Sequence, residues 1–159
     1  MKYSRFEELP VWKDAIELAV RVYALTSQPP FKGNYSLRDQ LERAAVSVSN
    51  NIAEGFERGT TQELLTFLYI SRGSAGETRS MLCLLDRLPG FGNLKFEISD
   101  LKSRAEEISR QLRAWCNSLQ NSDIRGQRYM TSRSQRSTKE ARERDEFLKE
   151  LEQIRNRKP

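Results

Sequence analysis

Asn51, Glu54 and Arg58 follow one another at spacings of three and four within the stretch SNNIAEGFERG, residues 49–59. On a helix those spacings place them on one face, beside the apolar face that carries Val48 and Ile52. Glu54 stands four residues before Arg58, the favourable order for an ion pair. A second polar set, Arg72, Ser74 and Glu77, lies in RGSAGE. Three chemistries fit these residue types. The two sets can form a hydrogen-bonded patch that fixes register where two helices meet. Glu54 and Glu77 can act as paired carboxylates for acid–base chemistry or for Mg²⁺ or Ca²⁺, although the Asp-rich loop usual for such ions is absent. The same face can receive a partner.

The sequence contains no histidine. That excludes Ser-His-Asp and Cys-His nucleophilic sites and every metal site that needs imidazole, the Glu-x-x-His di-iron pattern of helix bundles included. Catalysis would have to rest on carboxylates alone, and the expectation is no enzyme, no cofactor and no metal. Cys83 and Cys116 both fall among apolar helical positions and read as free, buried thiols. No apolar run approaches the roughly 20 residues of a membrane span, and no secretory signal precedes Trp12. A cytoplasmic protein with no membrane contact is expected.

Four helical segments position the polar sets. In the first, Leu9, Trp12, Ile16, Ala19, Val20 and Tyr23 recur at helical spacing, with Pro10 in the first turn. Pro29-Pro30 and Gly33-Asn34 break the chain. The second opens at Ser36 as N-cap, with Asp39 in its first turn, and carries the stripe Leu37, Leu41, Ala45, Val48 and Ile52 up to Gly55 and Gly59. The third begins with a capping box, Thr60 and Glu63, and continues through Leu64, Phe67, Leu68, Ser71, Ala75, Thr78, Leu82 and Leu85 to Pro89-Gly90. Gly73 and Gly76 lie mid-helix, where each costs about 1 kcal/mol relative to Ala. Their presence predicts that another helix comes close there. The fourth repeats Leu94, Ile98, Leu101, Ala105, Ile108, Leu112, Trp115 and Leu119 at steps of four and three, which predicts bundle-type packing. Short connections make neighbouring helices antiparallel. The predicted fold is all-α: an antiparallel up-down four-helix bundle over residues 1–120.

Residues 121–159 form a basic C-terminal extension. They hold 11 Lys+Arg and 7 Asp+Glu, against 16 and 15 in the first 120 residues, so most of the net charge of +5 sits there. The segment SDIRGQRYMTSRSQRST has almost no apolar residue and is expected to be disordered. From Thr138 a short helix is predicted, with Phe147, Leu148, Leu151 and Ile154 on one face. Arg125, Arg128, Arg133, Arg136, Lys139, Arg142 and Arg144 face only Glu140 and Glu143 within residues 125–144, which makes them candidate nucleic-acid contacts. A solubilising linker to a protein-docking helix fits the same residues.

Several pieces, taken together, are similar to one family. They are FEELPVW at Phe6–Trp12, YSLRDQL at Tyr35–Leu41, RAAVSVSNNIAEG at Arg43–Gly55 and GSAGET at Gly73–Thr78. In order and spacing the chain resembles the S23, or 23S ribosomal RNA intervening-sequence, four-helix-bundle proteins over about residues 6–120. The family has Ser-Ile where this chain has Ser47-Val48. The resemblance implies a homopentamer with a central opening and no catalytic activity. It also implies kinship with Avd, the accessory proteins of diversity-generating retroelements, which bind RNA and a reverse transcriptase. The expected function is thus a non-enzymatic RNA-binding accessory protein, with RNA or an RNA/DNA hybrid, a reverse transcriptase and further copies of itself as partners. The alternative is a protein–protein adaptor of the same family without nucleic-acid contact.

Overall fold

The computed structural model describes residues 3–121, 144 and 146–149. The chain divides into two units, Met1–Gly126 and Gln127–Pro159. The first holds four long helices: α1 (Pro10–Thr26), α2 (Tyr35–Glu57), α3 (Thr61–Leu85) and α4 (Lys95–Gln120). Single 3-10 turns at Phe6–Glu8, Pro29–Phe31 and Gly92–Leu94 lead into or join them. Among the described residues there is no strand, and the fold is an all-α helical bundle.

Pairwise contacts give the direction of each helix. Between α2 and α3, Gln40 meets Glu77, Ser47 meets Ser74, and Val48 meets Ser71. The numbers rise on one helix as they fall on the other, so the pair is antiparallel. Asp86–Lys102, Arg79–Glu106 and Tyr69–Gln120 set α3 against α4 in the same way. Asp14–Gln111 and Arg21–Asp100 do so for α1 and α4. Each helix packs on two neighbours, so α1 and α3 stand diagonally across the bundle.

The core follows from the sequence stripes with a correction on each helix. On α2, Leu41, Ala45, Val48 and Ile52 are buried, and Phe56 extends the row. Leu37 is only partly covered. On α3 the stripe holds except at Phe67, which is half-buried, and Thr60 accepts the Glu63 amide at 3.2 Å, the N-cap bond of the expected box. On α4, Ile98 to Leu112 are buried as expected, but the last inward residue is Cys116. Trp115 and Leu119 are only partly covered. A straight helix drifts from a 3.5-residue repeat, and four residues beyond Leu112 lies Cys116.

The larger correction concerns α1. Its inward residues are Val11, Ala15, Leu18, Ala19, Val22 and Leu25. Ile16, Val20 and Tyr23 point outward, Val20 at 58% exposure. The helix carries two apolar stripes, and spacing alone does not say which is covered. The start of α2 also differs. Tyr35 is its first residue and Asn34 its cap position, while the Asn34 side chain donates to the Pro30 carbonyl at 3.0 Å.

One end of the bundle is closed by Phe31 against Phe91, edge to face with centroids 5.1 Å apart. Their loops turn at Gly33 and Gly90, whose φ values of 86° and 91° favour glycine. In the second unit, Arg144 and Glu146–Lys149 are helical and exposed. Leu151 and Ile154 lie outside the described residues.

Candidate functional site

The α2–α3 contact is built on small and hydroxyl-bearing residues. Gly55 sits where a Cβ would lie 2.7 Å from the Phe67 Cβ, so its lack of a side chain lets the helices close. One turn and more along, the buried Ser71 hydroxyl donates to the Val48 carbonyl at 2.8 Å. The Ser47 and Ser74 hydroxyls share a hydrogen bond of 2.9 Å. Asn51 Nδ2 donates to the Ser47 carbonyl at 2.7 Å and to its hydroxyl at 2.9 Å. Thr78 donates to the Ser74 carbonyl. These bonds satisfy polar groups that the packing takes out of water.

The candidate seam therefore divides. Asn51 and Ser74 belong to the network. Glu54 and Arg58 form the expected i,i+4 ion pair, but on the exposed surface. The Arg58 guanidinium also lies 4.9 Å from the Phe67 ring centre. Glu77 is exposed and accepts from Gln40 Nε2 at 3.4 Å, a long bond. Glu77 stands at the level of Gln40, and residues 40 and 54 are about 21 Å apart along a helix. Glu54 and Glu77 make no carboxylate pair. Sequence reasoning missed Ser47, Ser71 and Thr78 as network members. The available signal was hydroxyl residues recurring at 71, 74 and 78 inside an apolar stripe.

Gly73 and Gly76 correct a second expectation. Nothing in the described chain lies within 4 Å of a Cβ built at either. Both face outward, in a stripe with Thr66, Tyr69, Ser80 and Leu84. This outward face of α3, which also carries the exposed Glu77, lies on the helix diagonally opposite α1.

Charges elsewhere pair across helices. Asp100 accepts from Arg21 on α1 and from Arg104 on its own helix. The Arg21 hydrogen bond, then Arg104, holds the Asp100 carboxyl below the usual carboxylate range. Lys102 Nζ lies 3.0 Å from Asp86 and lowers that carboxyl likewise. Cys83 and Cys116 are both free, Cys83 half-buried and Cys116 buried. Burial pushes the Cys116 thiol up, away from a reactive thiolate. Among the described residues no group of three or more His, Cys, Asp or Glu could hold a metal ion. No described helix is long and apolar enough to cross a membrane. Two open polar grooves flank Arg43, one lined by Tyr23, Ser36 and Asp39 and the other by Ser47 and Glu77. Of the basic candidates, Arg144 is helical and exposed. Arg125, Arg128, Arg133, Arg136, Lys139 and Arg142 lie outside the described residues.

The family model of the 23S rRNA-intervening sequence protein matches residues 7–114, well over half of the chain. The chain belongs to that family. No curated protein matches it. A solved structure from Bacteroides thetaiotaomicron, described as a protein with unknown function from the S23 ribosomal protein family, shares the fold. It is 22% identical with a TM-score of 0.59, covering 67% of this chain and 97% of the other. The 23S rRNA-intervening sequence match ends close to the end of α4, so the basic extension lies beyond it.

Proposed function

We propose that this member of the 23S rRNA-intervening sequence family is a non-enzymatic, homo-oligomeric RNA-binding accessory protein of the cytoplasm. It would act in the Avd manner, beside a reverse transcriptase. The observation that carries RNA binding is the excess of cations in the extension beyond a nearly neutral bundle. Cations strung along such a segment contact successive phosphates and release counterions.

Self-assembly has separate support. The outward stripe of Ile16, Val20 and Tyr23 on α1 offers large side chains. The outward stripe of α3 offers open backbone at Gly73 and Gly76. Two unlike faces on opposite sides of one subunit suit head-to-tail association, which closes into a ring when the rotation allows. A pentamer is one such ring.

Fluorescence anisotropy with a labelled single-stranded RNA, repeated across salt concentrations, tests the RNA reading. Binding that weakens steeply with salt is expected. The adaptor reading is favoured by Phe147 and Leu148, exposed at 59% and 51% on a helix of the extension. Absence of RNA binding, together with salt-insensitive binding to a reverse transcriptase, would select the adaptor.

A further inference from the structure

Cations also gather outside the extension. At the end of the bundle closed by Phe31 and Phe91, cations gather around a single carboxylate. Lys102 touches Asp86 at 3.0 Å. The charges of Lys95 and Arg87 also act on Asp86. Arg87 spends one of its five donors on the Cys83 carbonyl, at 3.1 Å. Lys32 follows Phe31, whose ring rests on Phe91 at the head of the turn into α4. Lys32, Arg87 and Lys95 are exposed, and Lys32 and Lys95 have no ion pair among the described residues. Of the other acids on the first two turns of α4, Asp100 is engaged by Arg21 and Arg104. Glu97 follows Lys95 by two, about 200° around the helix.

Beside this cluster stands Phe96, 86% exposed and the most exposed large apolar side chain of the described residues. A phenyl ring in water at the rim of a cation cluster has no role in the core. It offers an exposed flat face next to Lys95 in the chain. An unstacked base needs both.

We propose that this end of the bundle, with Lys32, Arg87, Lys95 and Lys102 as phosphate contacts and Phe96 as a stacking platform, binds single-stranded RNA. The inference rests on the RNA-binding reading above and adds a second site to it. α4 is 26 residues long, so its last residue, where the basic extension begins, lies about 39 Å from this end. Duplex RNA offers no unstacked base to Phe96 and gains only the phosphate contacts.

The test is anisotropy of the full-length protein with a fluorescein-labelled 20-nucleotide oligouridine, and with a duplex of equal length. Three proteins are compared: wild type, Phe96→Ala, and the triple variant Lys32→Gln/Arg87→Gln/Lys95→Gln. All substituted side chains are exposed, and circular dichroism reports whether the bundle is intact. Phe96→Ala is expected to weaken oligouridine binding on the order of tenfold while leaving duplex binding unchanged. The triple variant is expected to lower the slope of log K against log salt by about 2, from three contacts at roughly 0.7 each. If wild type binds oligouridine and both variants match it in affinity and slope, the site is overturned while the RNA-binding reading stands on the extension. If wild type binds no RNA, both readings fall. Binding of the wild type to phosphatidylserine vesicles without RNA binding would likewise overturn the site and make Phe96 an interfacial anchor.

Discussion

Gly55 shows how much one absent side chain decides. Its missing Cβ is what lets α2 reach the Phe67 Cβ, an atom fixed close to the α3 backbone and unable to swing away. Gly55→Ala is expected to destabilise the bundle by about 1–3 kcal/mol, the usual cost of overpacking, read as a fall in Tm. Ser71→Ala, which removes the buried hydroxyl bonded to Val48, should cost about 1 kcal/mol. Glu77→Ala should stay within about 0.5 kcal/mol, because Glu77 is exposed with one long hydrogen bond. The sequence reads Glu77 as part of a buried seam. Helical spacing places a residue on a face, but at the edge of a stripe it does not say whether the neighbouring helix covers it. Asn51 and Ser74 lie just inside that edge and Glu77 just outside.

At the scale of elements, the helices were legible because each apolar stripe is long, and at α3 the cap is explicit as well. Thr60 and Glu63 mark the start of α3 in both sequence and structure. The inner side of α1 was not legible. Val11, Ala15, Leu18 and Val22 form one helical stripe, and Trp12, Ile16, Val20 and Tyr23 form another. Only packing against α2 and α4 selects between them. The outer stripe then becomes informative, since covering it by a second copy removes apolar surface from water. Val20→Glu should leave circular dichroism and monomer Tm nearly unchanged while lowering the mass seen by light scattering. An unchanged mass would remove α1 from the interface. The α1–α4 contact carries a pH dependence as well. The Asp100 carboxyl titrates lower in the folded chain than its ordinary value near 3.9, because Arg21 and then Arg104 hold its charged form. Its contribution is therefore full above about pH 4 and lost as pH falls through the folded value. Asp100→Asn should be less stable than wild type at pH 7, and the two should converge at the acid end of the titration. Parallel curves would show that the bridges contribute nothing.

The whole molecule joins a nearly neutral bundle to a strongly basic extension, and its charge divides differently from its stability. Every core residue among the described residues, from Leu9 to Cys116, precedes the extension. Truncation after Asn121 should therefore leave a folded bundle, read by circular dichroism and by a Tm close to that of the full chain. The truncated chain loses 11 Lys+Arg and 7 Asp+Glu with the end of the sequence. If the extension follows a phosphate backbone, RNA affinity should fall, and each lost contact should take roughly 0.7 from the salt slope on single-stranded RNA. What remains after truncation reports on the bundle. A residual, salt-dependent affinity sensitive to Phe96→Ala would place a second contact at the Phe31–Phe91 end. A residual affinity indifferent to Phe96 would place it on the Arg43 grooves or elsewhere. Unchanged affinity and slope would take RNA binding away from the extension altogether. The exposed Phe147 and Leu148 would then be the stronger argument, and the extension would be a protein-docking element.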